Sequence, residues 1–397
     1  MIEKTCTCSM KVHKAPVDRI ETGSDILEKI PEILDKYRNI YMVSDENTYA
    51  ACGRRVEEIL IKSGQFSHGL ILPKNCVPDY AAAGNILLHA NDVSAESDIF
   101  SFSPLPDFIL GVGSGVINDS CRVVSYRLGI PYGICGTAPS MDGYASAGSS
   151  MMVDGAKHTI KCTTPRVIIA DIKIMKNAPY ELLLAGIGDM FGKYTAIFDW
   201  ELSREKTGEY YCEEIAKDVL KAADECLANG YRLAGRSEQT VHNIIDGLIV
   251  SGLGMAYTGV SRPASGAEHV IAHVWETESI ASGKIPDLHG IDVCEGSLLQ
   301  YIMLKKLYGE TKDAFVKKLI AKYMPSFEKV EKFCKDTNYP IPVKDESEIR
   351  HAILRALTLR NRYTTISYLN SLGKLEEYAE YAAAEFTKTW LAASDCV

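Results

Sequence analysis

The sequence predicts an α/β amino-terminal domain with a mainly parallel sheet, followed by an all-helical carboxy-terminal domain. In the first part of the chain, short apolar runs alternate with amphipathic helical segments, which is typical of a parallel sheet with helices on both faces. Beyond Pro179 these runs stop, and long segments with a 3.6-residue period take over. The 397 residues exceed what one hydrophobic core usually supports. We therefore expect domains at residues 1–177 and 178–397.

The predicted elements of the first domain alternate between strand and helix. In chain order they are the strand Asn39–Ser44 with a helix through Leu60, the strand Ser67–Leu72 with the helix Asp79–Ala90, the strand Asp107–Leu110 with the helix Val116–Leu128, and the strands Tyr132–Cys135 and Val167–Ala170. Between the last two strands, Asp154-Gly155 separates Ser149–Val153 from His158–Lys161, which predicts a hairpin.

A glycine-rich turn formed by Gly111, Gly113 and Gly115 joins the third strand to its helix. Free N–H groups at a helix N-terminus, together with the helix dipole, favour an anion such as a cofactor pyrophosphate. The turn is therefore a Rossmann-like signal. However, G-x-G-x-G does not match the full dinucleotide fingerprint, so a purely structural turn remains an alternative.

The second domain is predicted to be helical throughout. The longest apolar stretch, Ile244–Val260, contains Asp246 and several small residues, so we expect a core helix there rather than a bilayer span. The predicted helices are Glu181–Ser203, Glu209–Ala228, Gln239–Thr258, Ala267–Ala281, Gly296–Tyr308, Thr311–Lys322, Phe327–Thr337, Glu346–Arg360 and Lys374–Leu391.

Charge and composition argue against several classes of function. The formal net charge of -9 leaves no basic stripe for nucleic acid or an anionic membrane. Met1–Lys14 is polar and charged, so no signal peptide is expected, and the twelve cysteines predict reduced thiols in the cytoplasm. Cys6, Cys8 and His13 have the residue types of half a metal site. No second pair follows at ligand spacing, so the sequence favours a segment without metal.

Three polar positions in the helical half do not fit a plain hydrophobic core. The first is Asp189, in an apolar helix with Gly186, Gly188 and Gly192. Glycines weaken a helix by roughly 1 kcal/mol each, which makes sense if something must approach the backbone closely. A simple i,i+4 ion pair between Asp189 and Lys193 is the alternative.

The other two positions contain histidines. His269 and His273 are four residues apart and share a helix face, with Ser265 placed to cap the helix. His289 precedes Gly290 at a junction between loop and helix. One carboxylate and two or three imidazoles can hold a divalent ion and leave positions open for substrate, although core histidines share this spacing. Spacing does not decide which of the first two histidines is a ligand.

Together these pieces resemble a known family. The blocks GVGSG-x-IND, TAPSMDGYASAG, AG-x-GDM-x-GKYTA, SRPASGAEH and LHG occur between Gly111 and Gly296. They are similar to blocks of the sn-glycerol-1-phosphate dehydrogenases, especially the bacterial metal-dependent branch, within the superfamily of dehydroquinate synthase, glycerol dehydrogenase and iron-type alcohol dehydrogenases. The resemblance implies a dehydroquinate synthase-like fold, with a dinucleotide-binding first domain and a second domain that binds metal and substrate.

The resemblance also implies roles for particular residues. Asp189, His269 and His289 would hold one divalent ion (zinc, nickel or iron), while His273 would lie beside the substrate. Asp142 and Asp189 would contact the substrate, and Asp142 or His273 would relay a proton as hydride moves between NAD or NADP and C2 of glycerol 1-phosphate. The residues implied to bind the cofactor are Gly113, Ser114, Gly115, Val116, Ile117, Asn118, Asp119, Thr137, Ala138, Pro139, Ser140 and Ser146.

Two positions depart from the family pattern. Val116 stands where threonine is usual, and Ile291 stands where glutamate or alanine is usual. Neither departure removes an expected ligand. Other interpretations keep the fold but change the activity: a dehydrogenase for glycerol or another polyol, a cyclisation of the dehydroquinate type, or an inactive nucleotide-binding regulatory protein.

A phosphorylated substrate needs a cation or free amides. The local candidates are Lys157, Lys161, Lys193 and Arg262, and we expect Arg262 or Lys157 to bind the phosphate. Asp45 follows the first strand, where a carboxylate can bind the adenosine ribose and favour NAD over NADP. Helical second domains of this superfamily commonly pair, so the resemblance also implies a homodimer.

Overall fold

The computed structural model describes residues 1–91, 105–342 and 344–390. Within these ranges the strands are β1 Ile2–Thr5, β2 Val12–Ala15, β3 Arg19–Gly23, β4 Ile40–Asp45, β5 Phe66–Leu72, β6 Phe108–Gly113, β7 Tyr132–Gly136, β8 Gly148–Val153, β9 Ala156–Lys161 and β10 Val167–Asp171. The helices are α1 Ile30–Ile33, α2 Glu46–Thr48, α3 Arg54–Ser63, α4 Tyr80–Leu88, α5 Gly115–Leu128, α6 Ile172–Met175, α7 Tyr180–Thr207, α8 Glu213–Gly230, α9 Glu238–Thr258, α10 Ala267–Ala281, α11 His289–Glu310, α12 Ala314–Asp336, α13 Glu346–Leu359, α14 Thr365–Ser371 and α15 Leu375–Trp390. Short 3-10 turns at Leu27–Lys29, Asp142–Ala145 and Leu233–Gly235 and a π-helical turn at Tyr49–Gly53 complete the regular structure of these ranges.

A six-stranded parallel sheet has the order β3-β10-β7-β6-β4-β5. This confirms the predicted α/β architecture. Gly113 pairs with Gly136, so β6 and β7 end side by side and the loops that follow them start from the same edge of the sheet. β8 and β9 form the predicted hairpin, with Asp154 at φ 52° and Gly155 at φ 77° in its turn.

Hydrophobic clusters cover both faces of this sheet. One cluster joins β-strand side chains to α4, α5 and α9, and the other joins them to α1 and α3. The helical contributors to the first cluster include Ala82, Ile86, Ile117, Cys121, Val124, Val241, Ile245 and Ile249. Because the central strands are apolar on both faces of the sheet, helices must cover both faces.

The chain divides into two compact units, each made of two segments. The first contains Met1–Leu183 and Gly235–Gly259, and therefore holds the sheet and α9. The second contains Leu184–Ala234 and the described residues from Val260 onward, and it is mostly helical. The predicted division by function at residues 177 and 178 stays a prediction.

The structure corrects several predicted boundaries. The helices predicted at Thr311–Lys322 and Phe327–Thr337 are one helix, α12, which continues through Pro325. Apolar residues buried on both sides of the proline hold the helix together despite the missing backbone hydrogen bond. α11 begins at His289 rather than Gly296, and β1–β3, α1 and α14 were not predicted. The predicted last helix ends at Leu391, which lies outside the described residues.

Two further findings concern the described residues. None of their helices carries an apolar run long enough to cross a bilayer. Their cysteines are free thiols.

Candidate active site

The glycine turn opens a helix as predicted, because β6 ends at Gly113 and α5 begins at Gly115. A Cβ at Gly113 would lie 2.5 Å from Cγ1 of Ile117, so only glycine lets the turn close on the helix. A Cβ at Gly115 would meet Met141 at 3.6 Å, an ordinary contact. Packing within the protein therefore explains the glycine at 113 but not the glycine at 115.

The loop after β7 is hydrogen-bonded to this turn. The Thr137 amide donates to the Gly113 carbonyl at 3.1 Å, and the Ser114 and Ser140 hydroxyls are 2.7 Å apart. Tyr144, which no sequence feature singled out, donates its hydroxyl to the Ala138 carbonyl at 2.6 Å. The structure thus brings together the two segments expected to bind cofactor, including Pro139, at the carboxyl edge of the sheet, where α/β proteins bind ligands.

A buried guanidinium anchors the rest of this loop. Arg122 donates through Nη1 to Asp119 Oδ1 at 2.6 Å and to the Gly148 carbonyl at 2.8 Å. Its Nη2 reaches the Gly143 carbonyl, and its Nε reaches the Tyr132 hydroxyl. Arg122 was not predicted as a functional residue, although it lies one helical turn after Asp119. Because one rigid guanidinium binds the loop at both Gly143 and Gly148, this part of the loop is preorganised.

The side chains at positions 117–119 face inward. Ile117 is buried in the core, and Asn118 donates to the Gly143 carbonyl at 3.1 Å. Burial raises the pKa of Asp119, against the effect of Arg122. Contacts of these three residues with the cofactor stay a prediction. Because their side chains face inward, we expect such contacts to be made by backbone atoms. Val116 stays a predicted cofactor contact as well.

Three predicted polar residues of the first unit have defined partners. Asp142 accepts a hydrogen bond at 2.9 Å from Ser251 of α9, which approaches closely because residue 252 is glycine. Ser146 accepts from the Gly148 amide at 2.9 Å. Asp45 caps α2 by accepting from the Thr48 amide at 2.9 Å. A contact of Asp45 with ribose stays a prediction.

In the second unit, Asp189, His269 and His289 converge from three helices, α7, α10 and α11. One potential ligand atom from each lies within 4.8 Å of the others, and His269 Nε2 is 3.5 Å from Asp189 Oδ1. The glycines around Asp189 have a protein partner: a Cβ at Gly188 would lie 2.4 Å from the Gly290 carbonyl. The close approach inferred from the sequence is thus the packing of α11 against α7.

Each histidine of the site is oriented by a carboxylate. His269 Nδ1 is 2.8 Å from Glu268 Oε1, whereas His289 and His273 place their Nδ1 atoms 2.6 and 2.8 Å from the two oxygens of Glu276. An ionised carboxylate only accepts hydrogen bonds, so each Nδ1 carries the proton and each Nε2 keeps its lone pair. This carboxylate–histidine pattern is typical of metal ligands. The residues present therefore fit a divalent ion.

A second group, His273, Glu276 and His289, also has the spacing of a metal site. Glu276 already accepts from Nδ1 of both histidines, so it acts as their common orienting group. Neither Glu268 nor Glu276 was predicted. Their signals were adjacency to His269 and an i+3 spacing from His273.

The site is electrostatically matched to a cation. Burial by itself would raise the pKa of Asp189, but Lys193 and His269 hold it below its ordinary range. Lys193 Nζ lies 2.7 Å from Asp189 Oδ1 in a fully buried ion pair. Burial and Lys193 lower the pKa of His269, yet the carboxylates of Asp189 and Glu268 leave it raised overall. The ion pair between Asp189 and Lys193, which the sequence left open as an alternative, is present. Asp189 also faces His269 and His289.

The start of α10 is not capped as the sequence predicted. Ser265 does not cap the helix, because the N-cap residue is Gly266 and the Ser265 hydroxyl accepts from Arg362 at 2.8 Å. The Gly266 amide is bonded by Glu268 and the Ala267 amide by Asp199, at 2.6 and 2.8 Å. Buried carboxylates therefore replace the serine cap.

Arg262 is buried and bonded within the second unit. It donates through Nε to Glu209 at 2.9 Å, through Nη1 to the Tyr363 carbonyl at 2.8 Å and through Nη2 to Ser203 at 3.2 Å. A role for Arg262 in binding phosphate stays a prediction, but the guanidinium already has a structural role.

Glu276→Gln is expected to weaken divalent metal binding by about 10- to 100-fold, because the amide cannot accept from both histidines with the charge of a carboxylate. Metal affinity measured by competition with a chelator checks this. Glu278→Gln is the matched control on the same helix, since Glu278 bonds the exposed His351. Equal affinities of the two variants would contradict an orienting role for Glu276.

A buried charge cluster lies further along α11. Lys344 Nζ lies 2.9 Å from Asp292 and 2.7 Å from Glu295, and it stacks on the Trp275 ring at 4.2 Å. Burial raises the pKa of Asp292 to about 7 and that of Glu295 to about 8. Lys344 also lies 3.5 Å from the exposed Asp287. Because the two buried carboxyl groups share one ammonium, the pair of Asp292 and Glu295 retains a proton near neutral pH.

This cluster predicts a loss of stability with rising pH. Between the ordinary pKa of a glutamate and about 8, folded Glu295 keeps a proton that the unfolded chain releases, so stability falls as pH rises through this window. Glu295→Gln cannot titrate and should reduce the slope by up to roughly 1 kcal/mol per pH unit. Denaturant unfolding between pH 5 and 8 measures it, with the exposed Glu328→Gln as control. Parallel stability curves for wild type and Glu295→Gln would refute the assignment.

Comparisons with known proteins agree with this geometry. Residues 21–179 match the model of a family described as iron-containing alcohol dehydrogenase. The chain is 30% identical over 382 residues to a glycerol-1-phosphate dehydrogenase [NAD(P)+] of Bacillus licheniformis, covering 93% of each chain. It is 32% identical to the enzyme of that name from Hyperthermus butylicus, covering 92% of this chain and 95% of the other. A probable glycerol dehydrogenase from Sinorhizobium meliloti has a similar fold, with a TM-score of 0.65, 18% identity and coverage of 95% and 98%.

Proposed function

The chain belongs to the glycerol-1-phosphate dehydrogenase family, an oxidoreductase family, and from this premise we propose that it reversibly reduces dihydroxyacetone phosphate to sn-glycerol 1-phosphate with NAD(P)H. The observation that supports this most directly is the convergence of Asp189, His269 and His289, each histidine oriented by its own carboxylate contact. These three residues would hold a divalent ion of the zinc, nickel or iron type, which would supply Lewis-acid polarisation of the substrate carbonyl.

The nicotinamide cofactor would bind at the carboxyl edge of β6 and β7. The amides at the start of α5 would bind the pyrophosphate, and the absence of a side chain at Gly115 would leave them accessible. The loop that contains Thr137 and Ser146 would contact the nicotinamide end. Arg122 keeps that loop in one conformation, so its role is positioning.

His273 is our candidate for moving the proton of the reaction. Its Nδ1 is held by Glu276, which leaves Nε2 to donate to the C2 oxygen during reduction and to accept from it during oxidation. Glu276 would stabilise the imidazolium form. Asp142, held by Ser251, is the second candidate, as a substrate contact or proton relay. Comparing His273→Gln with Asp142→Asn across the pH profile of kcat separates the two roles.

The phosphate of the substrate requires a cation. Lys193 and Arg262 have carboxylate partners in the interior of the second unit. Among the predicted candidates, the half-exposed Lys157 is our choice for the phosphate contact. Arg360, a half-buried cation of the same unit as His273, is a further candidate. Loss of either contact should raise KM for dihydroxyacetone phosphate more than it lowers kcat. Lys161→Gln is the control for Lys157→Gln.

The direct test is reduction of dihydroxyacetone phosphate with NADH or NADPH, followed by chiral analysis of the product. Production of sn-glycerol 1-phosphate that stops with chelator supports the proposal. Preference for unphosphorylated dihydroxyacetone would indicate a polyol dehydrogenase, and cofactor binding without turnover would indicate a regulatory protein. The ratio of kcat/KM values for the two cofactors decides between NAD and NADP. A homodimer and a cytoplasmic location remain part of the proposal, to be checked by sedimentation and fractionation.

A further inference from the structure

The amino-terminal hairpin brings together a second set of metal-ligating side chains. β1 and β2 pair in an antiparallel register from Ile2 opposite Ala15 to Thr5 opposite Val12. The loop between them is closed by the Cys6 amide on the Lys11 carbonyl at 2.7 Å. Cys6 and Cys8 lie in this loop and His13 lies on β2, and their donor atoms lie within 4.8 Å of one another.

The geometry of these donors is that of a thiolate–imidazole site. Cys8 Sγ is 3.3 Å from His13 Nε2. In a tetrahedral zinc site, bonds of about 2.3 Å to sulfur and about 2.0 Å to nitrogen place these two atoms roughly 3.5 Å apart. Cys6 and His13 are buried and Cys8 is half-buried, so two of the three donors are shielded from solvent. Donors that are close by chance on an exposed surface do not combine this spacing with buried side chains.

The histidine is also held in the form that binds a metal. His13 Nδ1 lies 3.1 Å from the Tyr257 carbonyl, near the end of α9. A carbonyl can only accept, so Nδ1 carries the proton and Nε2 presents its lone pair to Cys8. The hairpin itself has strands of only four residues, and isolated two-stranded hairpins are marginally stable.

We propose that Cys6, Cys8 and His13 bind a structural zinc ion, separate from the ion of the proposed active site. Two thiolates and one imidazole favour a soft divalent cation, with zinc the common choice in structural sites. The fourth tetrahedral position is left to a donor outside the hairpin. Such an ion would fix the hairpin and, through His13, its contact with the end of α9. This inference does not rest on the proposed function.

The test is metal analysis of the full-length chain loaded with zinc. Wild type should carry one equivalent more than Cys6→Ser/Cys8→Ser, whereas Cys76→Ser should keep the wild-type content because Cys76 is outside the cluster. In the His269→Ala background, which lacks a proposed active-site ligand, the hairpin ion should remain. Cobalt loading should give thiolate-to-metal charge-transfer absorption in wild type and lose it in the double variant.

A measurement on the unmodified chain covers the case in which the double variant does not fold. Zinc should protect Cys6 and Cys8 from alkylation, read by peptide mass spectrometry, and a chelator should expose them; any other protected cysteine identifies the fourth ligand. Cys76 should react equally in both states. Equal alkylation of Cys6 and Cys8 with and without zinc, or cobalt spectra without thiolate absorption, would overturn the proposal, whatever the enzyme's activity.

Discussion

His269→Ala should lose its active-site metal and at least about 10³-fold in kcat/KM for dihydroxyacetone phosphate, because polarisation by the ion contributes several kcal/mol and each 1.36 kcal/mol is a factor of ten. The loss should be in kcat rather than KM if the phosphate is bound by separate cations. Metal content and steady-state kinetics measure the two effects. A variant that keeps both the ion and the activity would remove His269 from the ligand set.

The control for this variant is His351→Ala. His351 is an exposed histidine of the same unit, 2.7 Å from Glu278. It should leave metal content and kinetics unchanged. Because His269 is buried beside Glu268 and Asp189, thermal unfolding of His269→Ala must be recorded as well, so that loss of fold is separated from loss of ligand.

Gly290→Ala should destabilise the helical unit by more than about 3 kcal/mol, and the chain should express poorly or fail to fold. Its Cβ would lie 1.8 Å from the Ala185 carbonyl oxygen and 2.6 Å from the carbonyl carbon, so backbone must move rather than a flexible side chain. α11 would shift away from α7, carrying His289 with it. Denaturant unfolding and metal content should change together.

Gly309→Ala is the matched control on the same helix. A Cβ at Gly309 meets nothing within 4 Å, so alanine should be neutral or stabilising by up to about 1 kcal/mol through helix propensity. A Gly290→Ala protein as stable as Gly309→Ala would show that the contact between α7 and α11 is looser than described.

Local pattern predicted five of the six strands of the sheet because these strands are apolar runs bounded by turn residues. The sixth, the edge strand β3, was missed because its residues are only partly buried and form no apolar run. Local pattern also failed for the packing of α9, which the chain order places among helices but whose Val241 and Ile245 lie in the sheet cluster. The start of α11 was predicted too late, at Gly296, although His289 was placed at a junction between loop and helix. Gly290 and Gly296 are positions where this helix touches another backbone.

Local sequence pattern also left part of the candidate site undecided. Residue types and spacing singled out Asp189, His269, His273 and His289, but spacing cannot tell a ligand from its neighbour one turn away. The deciding groups are partners brought in by tertiary structure, above all Glu276, which serves two histidines on different helices. Arg122 was missed for a similar reason: Asp119 is its neighbour one helical turn away, but its contacts with the loop after β7 are to carbonyl groups, which carry no sequence signal.

The two-segment composition of the sheet unit bears on how the protein is made. The ribosome releases α7 and α8 before α9, so the first hydrophobic cluster lacks Val241, Ile245 and Ile249 until residue 259 has emerged. During that interval the nascent sheet exposes apolar surface, and Asp142 has no Ser251 to hold it. The edge of the sheet where we propose that the cofactor binds is therefore completed late in synthesis. A fragment that ends at Leu183 would lack α9 and would keep this apolar surface exposed.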